Sequence, residues 1–156
     1  MTTPAVLRSD SPTATRRIGR RLARLLRPGD VVLLQGELGA GKTCLAQGIG
    51  EGLNVGERIK SSAFVLVNEY QGRLRMYLAD LYRLSGPAEV ADLALEENAA
   101  DGVLVIEWPD RAWEEMPRDR LLIRLKWLDE HTRELSLEPE GERACELAEN
   151  LLKRRS

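Results

Sequence analysis

Gly36-Glu37-Leu38-Gly39-Ala40-Gly41-Lys42-Thr43 fits the spacing G-x-x-x-x-G-K-[ST]. Glycines at these positions let the backbone wrap a phosphate with its amide N–H groups turned inward, and the positive end of a following helix adds to the attraction. The Lys42 ammonium would then lie between the β- and γ-phosphates of a nucleotide, and the Thr43 hydroxyl would fill one Mg²⁺ coordination position. Such a magnesium site needs an acid at the end of a neighbouring strand. Glu107, which closes the apolar run Val103 to Ile106, has that place; a solvated strand-end carboxylate is the alternative. Asp80, after the strand-like Leu74 to Ala79, is a second candidate as base, water positioner or magnesium ligand, unless it merely caps the next turn of the chain. Trp108 is either a core or rim aromatic or a platform for a ligand.

These residues need elements to hold them. Ser11 before Pro12 reads as an N-cap and first helical residue, and Ile18, Leu22, Leu25 and Leu26 come after it at helical spacing until Pro28-Gly29-Asp30 stops the helix. Val31 to Gln35 is a short, nearly all-apolar run of the kind found in strands buried on both faces. Lys42 to Leu53 carries Leu45, Ala46, Ile49 and Leu53 at helical spacing; Gly48, Gly50 and Gly52 weaken its propensity by about 1 kcal/mol each, so packing must hold it. Ala63 to Tyr70 and Leu74 to Ala79 read as two antiparallel strands joined at Gln71-Gly72-Arg73. Pro87 to Ala100 reads as a helix and Val103 to Glu107 as a second apolar strand broken by Trp108-Pro109. Arg120 to Leu128 and Thr132 to Glu138 alternate around Asp129 to His131 as another hairpin, and Ala144, Leu147, Ala148, Leu151 and Leu152 give a closing helix. This order predicts an α/β fold: a P-loop NTPase-like three-layer sandwich with a mixed, partly parallel central sheet.

Composition agrees with a globular chain. At 156 residues, 43% hydrophobic and 31% charged, residues 1–156 are expected to form a single domain with a core that needs no disulfide or structural metal. A net charge of −2 gives no electrostatic footprint for binding nucleic acid unaided. The distribution is less even: Arg16, Arg17, Arg20, Arg24 and Arg27 line one side of the first helix, and Glu89, Asp92, Glu96, Glu97 and Asp101 make a central stretch acidic. Either could be a docking face or a solvated surface. Cys44 and Cys145 lack zinc or disulfide spacing, and His131, the sole histidine, sits in a polar turn, which excludes His-based triads. No apolar run approaches the ~18 residues of a membrane span and no secretory signal is visible, so a cytoplasmic location is expected.

With these residues in place the chain resembles the bacterial TsaE family, small P-loop ATPases of tRNA threonylcarbamoyladenosine modification, over roughly Thr15 to Leu137. The family's early T-x-x-x-G-x-x-L-A pattern stands as Thr15, Gly19, Leu22 and Ala23, and its loop as Gly36 to Thr43. Its D-L-Y-R-L block is Asp80 to Leu84, its I-E-W is Ile106-Glu107-Trp108, and its late arginine corresponds to Arg133. Ser61-Ser62-Ala63-Phe64 replaces the usual S-P-T-F, and Leu78 stands where a His is frequent. The resemblance implies ATP and Mg²⁺ as cofactors and Lys42, Asp80 and Glu107 as catalytic residues, with Thr43, Glu107 and Asp80 at the metal. It extends the nucleotide contacts, Gly36, Glu37, Leu38, Gly39, Ala40, Gly41, Lys42 and Thr43, to Thr15, Cys44, Trp108 and Arg133. It also implies TsaB- and TsaD-type partners, with tRNA reached through them and no membrane. The alternatives are a small-molecule kinase and a nucleotide-gated adaptor with negligible turnover. A kinase would need a lid larger than the segment between Tyr82 and Val103 offers, and a GTPase would need the absent N-K-x-D motif.

Overall fold

The structure, a computed structural model, describes residues 5–37, 39–59 and 67–153. Local chemistry sets each boundary. Helix α1 (Pro12–Leu25) begins where the Ser11 hydroxyl accepts the Ala14 N–H at 3.0 Å. It ends before Gly29, whose φ of 94° turns the chain into strand β2 (Val31–Gln35). Gly41, at φ 106°, redirects the chain from the glycine-rich loop into α2 (Lys42–Gly52). Strands β3 (Val67–Tyr70) and β4 (Met76–Asp80) pair antiparallel. Helices α3 (Pro87–Leu93) and α4 (Leu95–Asn98) precede β5 (Val103–Glu107). Strands β6 (Arg120–Trp127) and β7 (Arg133–Glu140) form a hairpin, and α5 (Glu142–Lys153) comes last.

The strands make one seven-stranded mixed sheet in the order β1-β7-β6-β2-β5-β4-β3, where β1 is Ala5–Ser9. Strands β6, β2, β5 and β4 run parallel, and both edges are antiparallel. Side chains alternate between two cores. Val32 and Leu34, Val103 and Val105, and Leu121, Ile123 and Leu125 meet α1, α2 and α5 on one face. Val31, Leu33, Leu104, Ile106 and Leu122 meet Val90, Leu95 and the segment through Ala112 and Met116 on the other. The expected three-layer sandwich with a partly parallel sheet is the fold found. Val90, Leu95 and Ala99 are buried in the second core, so the segment from Pro87 to Asn98 is part of a layer and not an inserted lid. No helix among the described residues is long and apolar enough to cross a membrane.

The structure departs from the sequence reading at strand β1 and at Ala94. Strand β1 has no counterpart in that reading: it is a five-residue edge strand, and its partner, β7, lies more than a hundred residues away. The expected helix from Pro87 to Ala100 breaks at Ala94, at φ 45°, where the Asn98 side-chain amide donates to the Leu93 carbonyl at 2.9 Å and closes the first piece. The expected strand Ala63 to Tyr70 is observed from Val67, since its first four residues fall outside the described ones, as does Ser61 to Phe64.

Two contacts tie the layers together. The buried Asp30 carboxylate accepts from the Arg27 backbone N–H at 2.7 Å and from Arg143 Nε and Nη2 at 2.9 Å each, fastening α5 to the turn before β2. Helices α1 and α2 cross in close contact: a Cβ at Gly48 would overlap the Arg16 carbonyl, and one at Gly19 would come to 2.6 Å from the Leu45 carbonyl oxygen. Gly48 and Gly52, which weaken α2 as an isolated helix, are therefore what lets it pack against α1. Gly48→Ala gains about 1 kcal/mol of helix propensity, yet we expect a net loss of about 1–3 kcal/mol because two backbones must separate. Urea denaturation of the variant measures this, and a stabilised variant contradicts the packing argument.

Candidate nucleotide site

The four parallel strands end at one rim, where Gln35 closes β2, Asp80 closes β4 and Glu107 closes β5. Asp80 and Glu107 are register partners, and Leu34 is the register partner of Glu107. Alternation puts both carboxylates on the face covered by α2, since Leu78 and Val105, two residues earlier on each strand, belong to that core. The loop from Gly36 crosses this rim. A Cβ at Gly36 would stand 2.7 Å from the Leu125 carbonyl oxygen, so glycine is required where the loop presses against β6. Gly39, at φ 82°, and Gly41 hold left-handed turns that aim the chain into the N-terminus of α2, whose first N–H groups have no acceptor within the helix.

Lys42 opens α2 and is 6% exposed. Its Nζ donates to the carbonyl oxygens of Gly36 and, at 3.3 Å, Glu37, and lies 3.9 Å from the Trp108 ring centroid. Desolvation lowers its pKa, while Glu107, Asp110 and Asp80 oppose that shift by attraction. Glu107 is 5% exposed, and its pKa is raised to about 7, first by burial and next by repulsion from Asp80; Lys42 pulls it back down. Asp80 accepts the Tyr82 backbone N–H at 3.0 Å, and the Leu81 N–H donates to the Glu107 carbonyl at 3.1 Å. The structure thus brings Lys42, Asp80, Glu107 and the loop together as the sequence suggested.

The remaining site residues fall around this centre. Trp108, at φ 61°, is held in the left-handed region between its N–H, donated to Leu34 O at 3.3 Å, and the 3-10 turn that starts at Pro109. A bulky residue in that conformation carries strain of roughly 1–3 kcal/mol, of the kind that collects at functional sites. Its ring lies 4.7 Å from that of Tyr82. Thr43 and Cys44 lie in the first turn of α2, both half-buried. Thr15 is 1% exposed; its hydroxyl is 2.6 Å from that of Ser9, and its methyl group is 3.9 Å from where a Gly41 Cβ would be. Arg133 Nη2 donates to the Gly39 carbonyl at 3.4 Å. Leu38 lies outside the described residues.

Beside the loop is a cleft of about 420 Å³, lined among others by Gly36, Ala40, Trp108, Asp110, Lys126 and Trp127. Sequence reasoning missed Asp110, Lys126, Trp127 and the Tyr82 ring.

The residues present fit a magnesium nucleotide. Among the described residues no three His, Cys, Asp or Glu side chains gather as an all-protein cage. A hydroxyl and one or two carboxylates beside a phosphate cradle are instead the donor set of Mg²⁺ that takes its other ligands from phosphates and water.

A family model described as threonylcarbamoyl adenosine biosynthesis protein TsaE matches residues 9–135. The chain belongs to the TsaE family. A relative named tRNA threonylcarbamoyladenosine biosynthesis protein TsaE from Streptomyces coelicolor is 46% identical over 115 residues, 70% of this chain and 77% of the relative. A protein of the same name from Bacillus subtilis is 36% identical over 146 residues, 92% of this chain and 91% of its own length. The crystal structure of Bacillus subtilis YdiB superposes with a TM-score of 0.84 at 34% identity, covering 100% of this chain and 99% of that one.

Burial of Glu107 has a measurable consequence in the ligand-free TsaE-family fold. Its pKa, 4.5 when free, is about 7 when folded, so between these values the folded chain keeps a proton that the unfolded chain has lost. Its contribution to stability is fully present below pH 4.5 and is lost as pH rises through 7, by about 3 kcal/mol in all. Glu107→Gln has no such proton, so its melting temperature relative to the native chain should climb from pH 5 to pH 8. A difference that stays constant with pH would show that the carboxyl is not desolvated.

Proposed function

We propose that this chain is a Mg²⁺-dependent ATPase of tRNA threonylcarbamoyladenosine biosynthesis that works with TsaB- and TsaD-type partners and reaches tRNA through them. The observation that carries the reading is the G-x-x-x-x-G-K-T loop, set between a buried parallel strand and a helix, with Asp80 and Glu107 on adjacent strand ends beside Lys42. The names of the relatives supply the pathway. The partners and the adenine base rest on the family likeness, and a cytoplasmic location accords with work on tRNA.

In this reading the loop amides and the N-terminus of α2 bind the phosphates, and Lys42 leaves the Gly36 and Glu37 carbonyls to face them. Thr43 and Glu107 would hold Mg²⁺, which when bound neutralises charge on the phosphate oxygens. A cation beside Glu107 favours its ionised form, offsetting the burial that keeps it partly protonated near neutrality. Asp80, one strand further out, would hold the attacking water without touching the phosphates. Arg133, reaching the loop at Gly39, adds positive charge beside it.

Mg·ATP at 100 times its dissociation constant should stabilise the fold by roughly 2.7 kcal/mol. A thermal-shift series with ATP, GTP and no nucleotide reads this, and equal shifts with GTP would remove the adenine preference. Lys42→Ala should lose the ATP-dependent shift and phosphate release while its ligand-free circular dichroism stays native. If it unfolds, Lys42 serves the structure and not the nucleotide.

Asp80→Ala separates water positioning from metal binding. We expect near-native Mg·ATP affinity by titration calorimetry and a 10²- to 10⁴-fold loss in phosphate release, assayed with TsaB- and TsaD-type partners present. Lost affinity would assign Asp80 to the metal. Native turnover would leave it a capping residue, and undetectable release by the native chain even with partners would favour the gated adaptor.

A further inference from the structure

We propose that Trp127 is the platform on which the nucleobase stacks, an inference that rests on the nucleotide reading above and names the residue that holds the base. Unequal strand lengths bring the ring to the site. Strand β2 stops at Gln35, whose register partner on β6 is Arg124, but β6 continues through Leu125, Lys126 and Trp127. At ~3.3 Å per residue the strand therefore overruns the start of the loop by about 10 Å. Leu125 faces the α2 side and reaches the loop, its Cδ2 lying 3.5 Å from where a Gly41 Cβ would be. Trp127, two residues on, shares that face of the strand and lines the same cleft as Gly36 and Ala40.

The exposure of Trp127 is what calls for a ligand. At 55% it is the most exposed large hydrophobic side chain among the described residues, although a packed core lies one pleat away. The ring nonetheless has a neighbour. The Arg133 guanidinium lies 5.0 Å from the ring centroid, and the same group donates to Gly39 O, so one side chain ties the indole to the phosphate loop. The other indole on the cleft, Trp108, already has an aromatic neighbour, the Tyr82 ring at 4.7 Å between centroids. A flat, apolar ring at the lip of a phosphate cradle matches the π-face of a base attached to those phosphates. Stacking of this kind does not read hydrogen-bonding edges, so Trp127 contributes affinity for a purine and leaves the choice between adenine and guanine to other groups.

The test is calorimetry of the full chain with two probes, Mg·ATP and magnesium tripolyphosphate, which has the phosphates and no base. Trp127→Ala should weaken ATP about ten- to hundredfold and leave tripolyphosphate unchanged, while Trp127→Phe should recover most of the ATP affinity. The melting temperatures of both ligand-free variants should stay near native, since the ring is at the surface. Unchanged ATP affinity in Trp127→Ala overturns the inference and spares the nucleotide site. Equal losses for both probes also overturn it, because Trp127 would then be shaping the loop. If the native chain binds neither probe, the nucleotide reading fails and this inference with it.

Discussion

Register across β4, β5 and β2 is the constraint on which the rest of this structure depends. The side-chain period of a strand is two, so a slip of one residue would turn Glu107 and Asp80 from the α2 face to the opposite core. What prevents the slip is the apolar run that precedes each carboxylate. Val103 and Val105 face one layer while Leu104 and Ile106 face the other, and each layer has its own helices to fill. The positions of two charged groups are thus held by hydrophobic packing several residues away from them.

That placement costs stability and creates reactivity together. Glu107 and Lys42 are both nearly excluded from water, and burial works against the charge of each. Each also favours the charge of the other, and Glu107 sits between its neutral and ionised forms near pH 7. Folding energy that could have gone to an apolar rim is held instead in a place where a cation and a phosphate would relieve it. The left-handed Trp108 belongs to the same balance: its strained backbone sets the ring under the Lys42 ammonium.

Much of this is legible in the sequence because its causes are local. The Ser11 cap, the all-apolar β2 and β5, and the glycine-rich loop each state their geometry within a few residues. The glycines of α2 are legible as a defect in propensity, and the structure supplies the reason, the backbone of α1 at Arg16 and that of α2 at Leu45 meeting glycines across the crossing. The features that escape a sequence reading have distant causes. Strand β1 exists because β7 offers an edge, Asp110 matters because the turn after Trp108 swings it toward Lys42, and the break at Ala94 comes from a backbone turn at a residue with no turn signature. Trp127 reads only as part of a hairpin, because nothing in its own strand tells how far β2 falls short of it.

The pairing of β1 with β7 bears on how the molecule is made. In order of synthesis the phosphate loop emerges early, but β7, which fills the sheet between β1 and β6, emerges about ninety residues later. Until then β1 has no neighbour, and Arg133, in register with Ser9, is not there to reach Gly39. Contacts of such long sequence separation form slowly, since the entropy of closing the intervening chain is lost before they reward it. A nascent chain therefore carries its glycine-rich loop for most of its synthesis without the strand that later packs beside it, and Arg133 reaches Gly39 only when the last hairpin docks.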